Sequence, residues 1–98
     1  MKAVKKIEII TGQPYRDRVI DMLEENDVSG YTFIDNVKGM GERGLRDGDG
    51  LSDAFKNCYI LVCCQQAELD RFQEPLRTML GRNGGVMLVT DAHWLIHR

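Results

Sequence analysis

A chain of 98 residues is one domain, and its 13 Lys and Arg against 15 Asp and Glu leave a net charge of −2. That balance excludes a broad nucleic-acid footprint, and 43% hydrophobic with 29% charged residues excludes wholesale disorder. No run is apolar for long enough to cross a membrane, and Met1 to Lys6 lacks a secretory core, so a cytoplasmic protein without direct membrane insertion is expected.

Val4 to Ile10 reads as a β-branched strand. Pro14 suits the first turn of a helix. Tyr15, Met22, Val19 and Leu23 form one apolar stripe, and that helix should fade near Asn26 and Asp27. Gly30 to Val37 is a second strand. A long loop from Lys38 to Asp53 then carries five glycines. Phe55 to Cys64 is the third strand. Leu69, Phe72, Leu76 and Met79 or Leu80 mark a second amphipathic helix. Pro75 inside it predicts a kink or a late regular start, and Gly81 is the expected left-handed cap. Val86 to Val89 begins a fourth strand that reaches toward Ala92, and His93 to Arg98 is a tail.

The order βαββαβ is the ferredoxin-like α+β arrangement, with two helices on one face of a four-stranded antiparallel sheet. The wet face of such a sheet should alternate apolar with polar residues. Tyr59 to Cys64 and Val86 to Val89 are apolar on both faces, so the face away from the helices is expected to meet other subunits of a homo-oligomer.

The loop at the end of the second strand carries the chemistry. Gly39, Gly41 and Gly44 let the backbone approach a ligand, and successive N–H groups in such a loop make an anion cradle. Arg43 and Arg46 add bidentate charge for phosphate or carboxylate. Gly39, Gly41 and Gly44 also match G-x-G-x-x-G, but Leu45 to Gly50 is poor helix material, so a dinucleotide fold is rejected. No P-loop run exists. Asp47-x-Asp49-Gly50 fails as a calcium loop at Leu51 and Cys58. Cys58, Cys63 and Cys64 fit no zinc spacing and read as small apolar strand residues. His93 and His97 read as tail histidines, so no metal is expected. Nothing assembles a nucleophile with its base, so the chain is not read as an enzyme. An RNA-binding ferredoxin-like module is the alternative function, but the third strand offers only Tyr59 and Phe55, without a basic-Gly-aromatic run.

Gly30-Tyr31-Thr32, the strand end Val37-Lys38-Gly39-x-Gly41 and the long loop returning on a third strand resemble PII-type signalling proteins. The spacing Gly39-x-Gly41-x-Arg43-x-x-Arg46 is similar to the PII-like branch linked to inorganic-carbon uptake, which includes bicarbonate-transporter-associated (SbtB-type) and carboxysome-associated proteins. Asn83-Gly84-Gly85 resembles that family's B-loop, and 38–53 its T-loop. The resemblance implies a homotrimer with adenine nucleotides in clefts between subunits. Gly39, Met40 and Gly41 would line the phosphates. Arg43 and Arg46 would pair with phosphate or with bicarbonate. Thr32 would sit near the ribose or adenine, and Gly84, Gly85 and Val86 would form the opposite wall. The ordinary PII B-loop has a lysine where Val86 stands, and the chain stops soon after the fourth strand. Both departures favour ADP or AMP over ATP with 2-oxoglutarate. The implied partner is a protein such as a transporter or a carboxysome-related component.

Overall fold

The computed structural model describes residues 1–41, 44–45 and 56–98, with the backbone alone at Met40, Gly41, Gly44 and Leu45. β1 (Lys2–Gly12) passes through a 3₁₀ turn (Gln13–Tyr15) into α1 (Arg16–Glu25). β2 (Thr32–Val37) is followed by a short antiparallel pair, β3 (Met40–Gly41) and β4 (Gly44–Leu45). Then come β5 (Asn57–Cys64), α2 (Gln66–Asn83) and β6 (Gly85–Trp94). The main sheet has the order β2-β5-β1-β6, with every neighbouring pair antiparallel. This is the expected ferredoxin-like α+β fold.

Burial resolves the strands that look two-sided in sequence. Cys58, Ile60, Val62 and Cys64 of β5 are buried, and Tyr59, Leu61 and Cys63 between them are half-buried. Thr11, Ile9 and Ile7 of β1 stand beside Cys58, Ile60 and Val62 on the same face. Val19 and Leu23 of α1 and Leu69, Phe72, Leu76 and Leu80 of α2 close over that face as the core. Each large side chain so buried contributes about 1.5–3 kcal/mol. The opposite face carries Ile10, Ile34, Tyr59, Leu61, Val86 and Leu88, in register across the four strands. Ile34 is 57% exposed and Leu88 53%.

The helix ends differ from the sequence reading in part. α1 stops where expected: Asn26 caps it with a side-chain bond to the Met22 carbonyl (2.8 Å), and Asp27 takes the left-handed conformation at φ 58. α2 does not start late. Glu68 accepts the Gln65 N–H (2.8 Å) in a reciprocal capping box, and the helix runs on through Pro75. Proline costs the bond to the Arg71 carbonyl, but Phe72 and Leu76 are core residues on either side and hold the helix against the sheet. Gly81 is not the cap. The helix continues two residues further, and Gly84, at φ 85, donates its N–H to the Leu80 carbonyl (2.8 Å). β2 begins at Thr32 rather than Gly30, because Glu68 already holds the Ser29 N–H (3.1 Å) and ties that loop to α2. β6 extends to Trp94 because β1 supplies partners as far as Lys2.

Candidate functional site

The register gathers the glycine segments at one end of the sheet. Val37 pairs with Asn57, Asn57 with Gly12, and Thr11 with Gly85. Gly39 and Met40 leave β2 at that end, and Gly84 and Gly85 enter β6 there. The two segments lie at opposite edges, however. Three inter-strand gaps separate β2 from β6, which is roughly 14 Å. Within one subunit, Gly39, Met40 and Gly41 therefore do not face Gly84, Gly85 and Val86. Thr32 lies at the far end of β2, about 17 Å of strand from Val37. Arg43 and Arg46 lie outside the described residues, as does most of 38–53.

The Gly84–Gly85 turn is built tightly. The Thr11 hydroxyl donates to the Gly84 carbonyl (2.8 Å). Gly85 has φ 149, and a Cβ there would stand 2.7 Å from the Ile10 carbonyl oxygen and 2.9 Å from Leu80 Cδ2. No residue but glycine fits both the angle and the space. Val86, 48% exposed, follows on the open face. At Gly39 the opposite holds, since an added Cβ would meet nothing within 4 Å among the described residues.

The strand entering the glycine loop is anchored by residues that the sequence reading did not single out. Arg16 pairs with Asp35 and, through Nε, with Asp17 (3.1 Å), and its guanidinium lies 4.9 Å from the Phe33 ring centroid. Its pKa is raised first by Asp35 and then by Asp17, so it remains a cation. Asn36 sits at φ 61, where the β2–β5 register slips, and its N–H donates to Gln13 Oε1 (3.0 Å). The Gln13 N–H donates to the Lys56 carbonyl (2.6 Å). The signal for the slip was an asparagine near a strand end, a residue that tolerates the left-handed region. Nothing local marked Gln13.

Beside Thr32, a hollow of about 230 Å³ on the open face is lined by Leu61, Cys63, Trp94 and His97 among others. His97 stacks on Trp94 with ring centroids 4.2 Å apart. His93 belongs to β6, so the two histidines do not form a helical pair. Among the described residues no three metal-ligating side chains come together. Burial pushes the Cys58 thiol up and the Cys64 thiol up to about 11, so both stay protonated within the core. On the open face the Tyr59 hydroxyl donates to Glu8 (2.9 Å), and Phe33 lies under Arg16 on the helix side. Of the two rings that the RNA-module alternative invokes, Phe55 lies outside the described residues and Tyr59 is half-buried and tied to Glu8, so that alternative gains no support. Among the described residues no helix is long and apolar enough to cross a membrane.

No curated protein matches this chain. Among solved structures, CPII from Thiomonas intermedia, a nitrogen regulatory PII-like protein bound to ADP, AMP and bicarbonate, is 24% identical. The match covers 94% of this chain and 88% of that one, with a TM-score of 0.83. CPII bound to ADP and bicarbonate matches over the same shares at 26% identity, with a TM-score of 0.80. A DUF3240 family protein from Shewanella baltica is 15% identical over 100% of this chain and 99% of that one, with a TM-score of 0.75. The family model described as nitrogen regulatory protein P-II matches residues 4–95. With the ferredoxin-like sheet, the glycine loop after β2 and the Gly84–Gly85 turn at the same end, this chain belongs to the nitrogen regulatory protein P-II family.

Proposed function

We propose that this chain forms a homotrimer that binds ADP or AMP in clefts between subunits, and that loop 38–53 reports the bound state to a protein target. One observation carries the reading. The two glycine segments suited to phosphate share one end of the sheet but sit at opposite edges, so a second subunit is needed to bring one of each together. The exposed apolar face of Ile34, Val86 and Leu88 offers the surface for that assembly. A nucleotide laid along the β2 edge would place its base at the Thr32 end and its phosphates at Gly39, Met40 and Gly41. Arg43 and Arg46 would neutralise the phosphates, or hold bicarbonate as a second anion. The adenine nucleotides and bicarbonate bound by CPII support this choice of ligands. Val86 in place of a B-loop lysine supports a nucleotide with fewer phosphates. The target in this reading is a bicarbonate transporter or a carboxysome-related component, and the chain acts as a regulator rather than a catalyst.

The test is a calorimetric titration with AMP, ADP, ATP and cyclic AMP, each with and without bicarbonate, on a sample whose mass is measured. Trimer mass with ADP or AMP binding supports the reading. A monomer, or a trimer that binds none of them, refutes it.

A further inference from the structure

One residue of the β1–α1 turn holds both stems of the glycine loop. The Gln13 N–H donates to the carbonyl of Lys56, just before β5, and the Gln13 side chain accepts the N–H of Asn36, near the end of β2. β1 and β2 are not neighbours, because β5 lies between them. Asn36 has no partner in the β2–β5 register. Without Gln13 its N–H would lose the acceptor that the ladder does not supply. Arg16, the first residue of α1, grips Asp35, the residue before the slip. Among the described residues nothing stands within 4 Å of where a Gly39 Cβ would lie, so close packing at that position does not hold the base of the loop. The direction of the chain there is set upstream, by the slip and the residues that hold it.

We propose that Gln13 is a positioning residue for the nucleotide site: its side chain and backbone together fix the separation of the two stems and so the direction of the N–H groups of Gly39, Met40 and Gly41. This rests on the nucleotide reading above. Pro14, which follows in the same 3₁₀ turn, restricts where the backbone of Gln13 can lie, so the side chain delivers its oxygen from a constrained turn.

The test compares Gln13→Ala with Gln13→Glu, which keeps an acceptor oxygen, in the full chain. Amide exchange is read without nucleotide, and ADP and AMP affinity by calorimetry at high salt, where the added charge is screened. Gln13→Ala is expected to speed exchange of the Asn36 amide while leaving those of Ile9 and Ile60 unchanged, and to weaken ADP binding by about tenfold, the size of one lost hydrogen bond. Gln13→Glu is expected to restore slow exchange and most of the affinity. Unchanged Asn36 exchange in Gln13→Ala would overturn the bridge. Faster exchange with unchanged ADP affinity would overturn the positioning role alone. A wild-type chain that binds neither ADP nor AMP would overturn the nucleotide reading, and this role with it.

Discussion

Replacing Gly85 by alanine should be more damaging than the same change at Gly12, Gly30, Gly39 or Gly81. The new Cβ would stand 2.7 Å from the Ile10 carbonyl oxygen, 2.9 Å from Leu80 Cδ2 and 3.2 Å from Thr11 Cβ. Leu80 could rotate, but Ile10 is backbone of a central strand paired on both sides and cannot move freely. Overpacking of this kind costs about 1–3 kcal/mol. The φ of 149 adds backbone strain of about 1–3 kcal/mol for a residue with a Cβ. A loss of about 3–4 kcal/mol is therefore expected, against a total stability of roughly 5–15 kcal/mol for a domain of this kind. For this size of domain that corresponds to a fall in Tm of about 12 °C or more. Urea and thermal unfolding at one fixed protein concentration would measure it, because the proposed assembly would make stability concentration-dependent. Gly39→Ala is the control: with open space around its Cβ it should cost no more than about 1 kcal/mol. If Gly85→Ala matched Gly39→Ala in stability, the close approach of the Gly84–Gly85 turn to β1 would be refuted.

Other outcomes follow from the same geometry. Burial works to raise the pKa of Glu68, but the N–H groups of Gln65 and Ser29 outweigh it and hold the carboxylate below its ordinary value. A depressed carboxylate contributes stability above its unfolded pKa of about 4.3 and loses it as pH falls through the folded value. Glu68→Gln should therefore lower the urea midpoint at pH 7, and the gap from wild type should close as pH falls below about 4. Ile34→Asp or Leu88→Asp puts a charge on the exposed apolar face, and light scattering should then give a monomer mass with folding retained by circular dichroism. Arg43→Ala and Arg46→Ala should each weaken ADP binding about ten- to a hundred-fold by calorimetry, because charge-assisted hydrogen bonds are worth about 1.5–3 kcal/mol.

The order of elements was legible because two periodicities were plain. Val19 and Leu23, and Leu69, Phe72, Leu76 and Leu80, repeat at helical spacing, and all six are buried. The third strand looked featureless in sequence, yet its burial alternates from Cys58 to Cys64. What sequence showed there was a second apolar face, and Ile34, Val86 and Leu88 are that face. The end of α2 was misplaced because Gly81, Gly84 and Gly85 compete locally, and the choice is made by Thr11, 73 residues away from Gly84. The support of the loop was not legible for the same reason. Arg16 and Asp35 are 19 residues apart and Gln13 and Asn36 are 23 apart, and each becomes a partner only when the sheet closes. The separation of the glycine segments to opposite edges likewise exists only in the assembled sheet.

The central claim is that the nucleotide site is shared between subunits. Hydrogen exchange with and without saturating ADP, on the wild-type chain and on Leu88→Asp, tests it most directly. The account predicts slowed exchange in the wild type at both 38–41 and 84–86, and no protection at either segment in the monomeric variant. Protection of one segment alone, or equal protection in the monomer, would place the site within a single subunit and contradict the account.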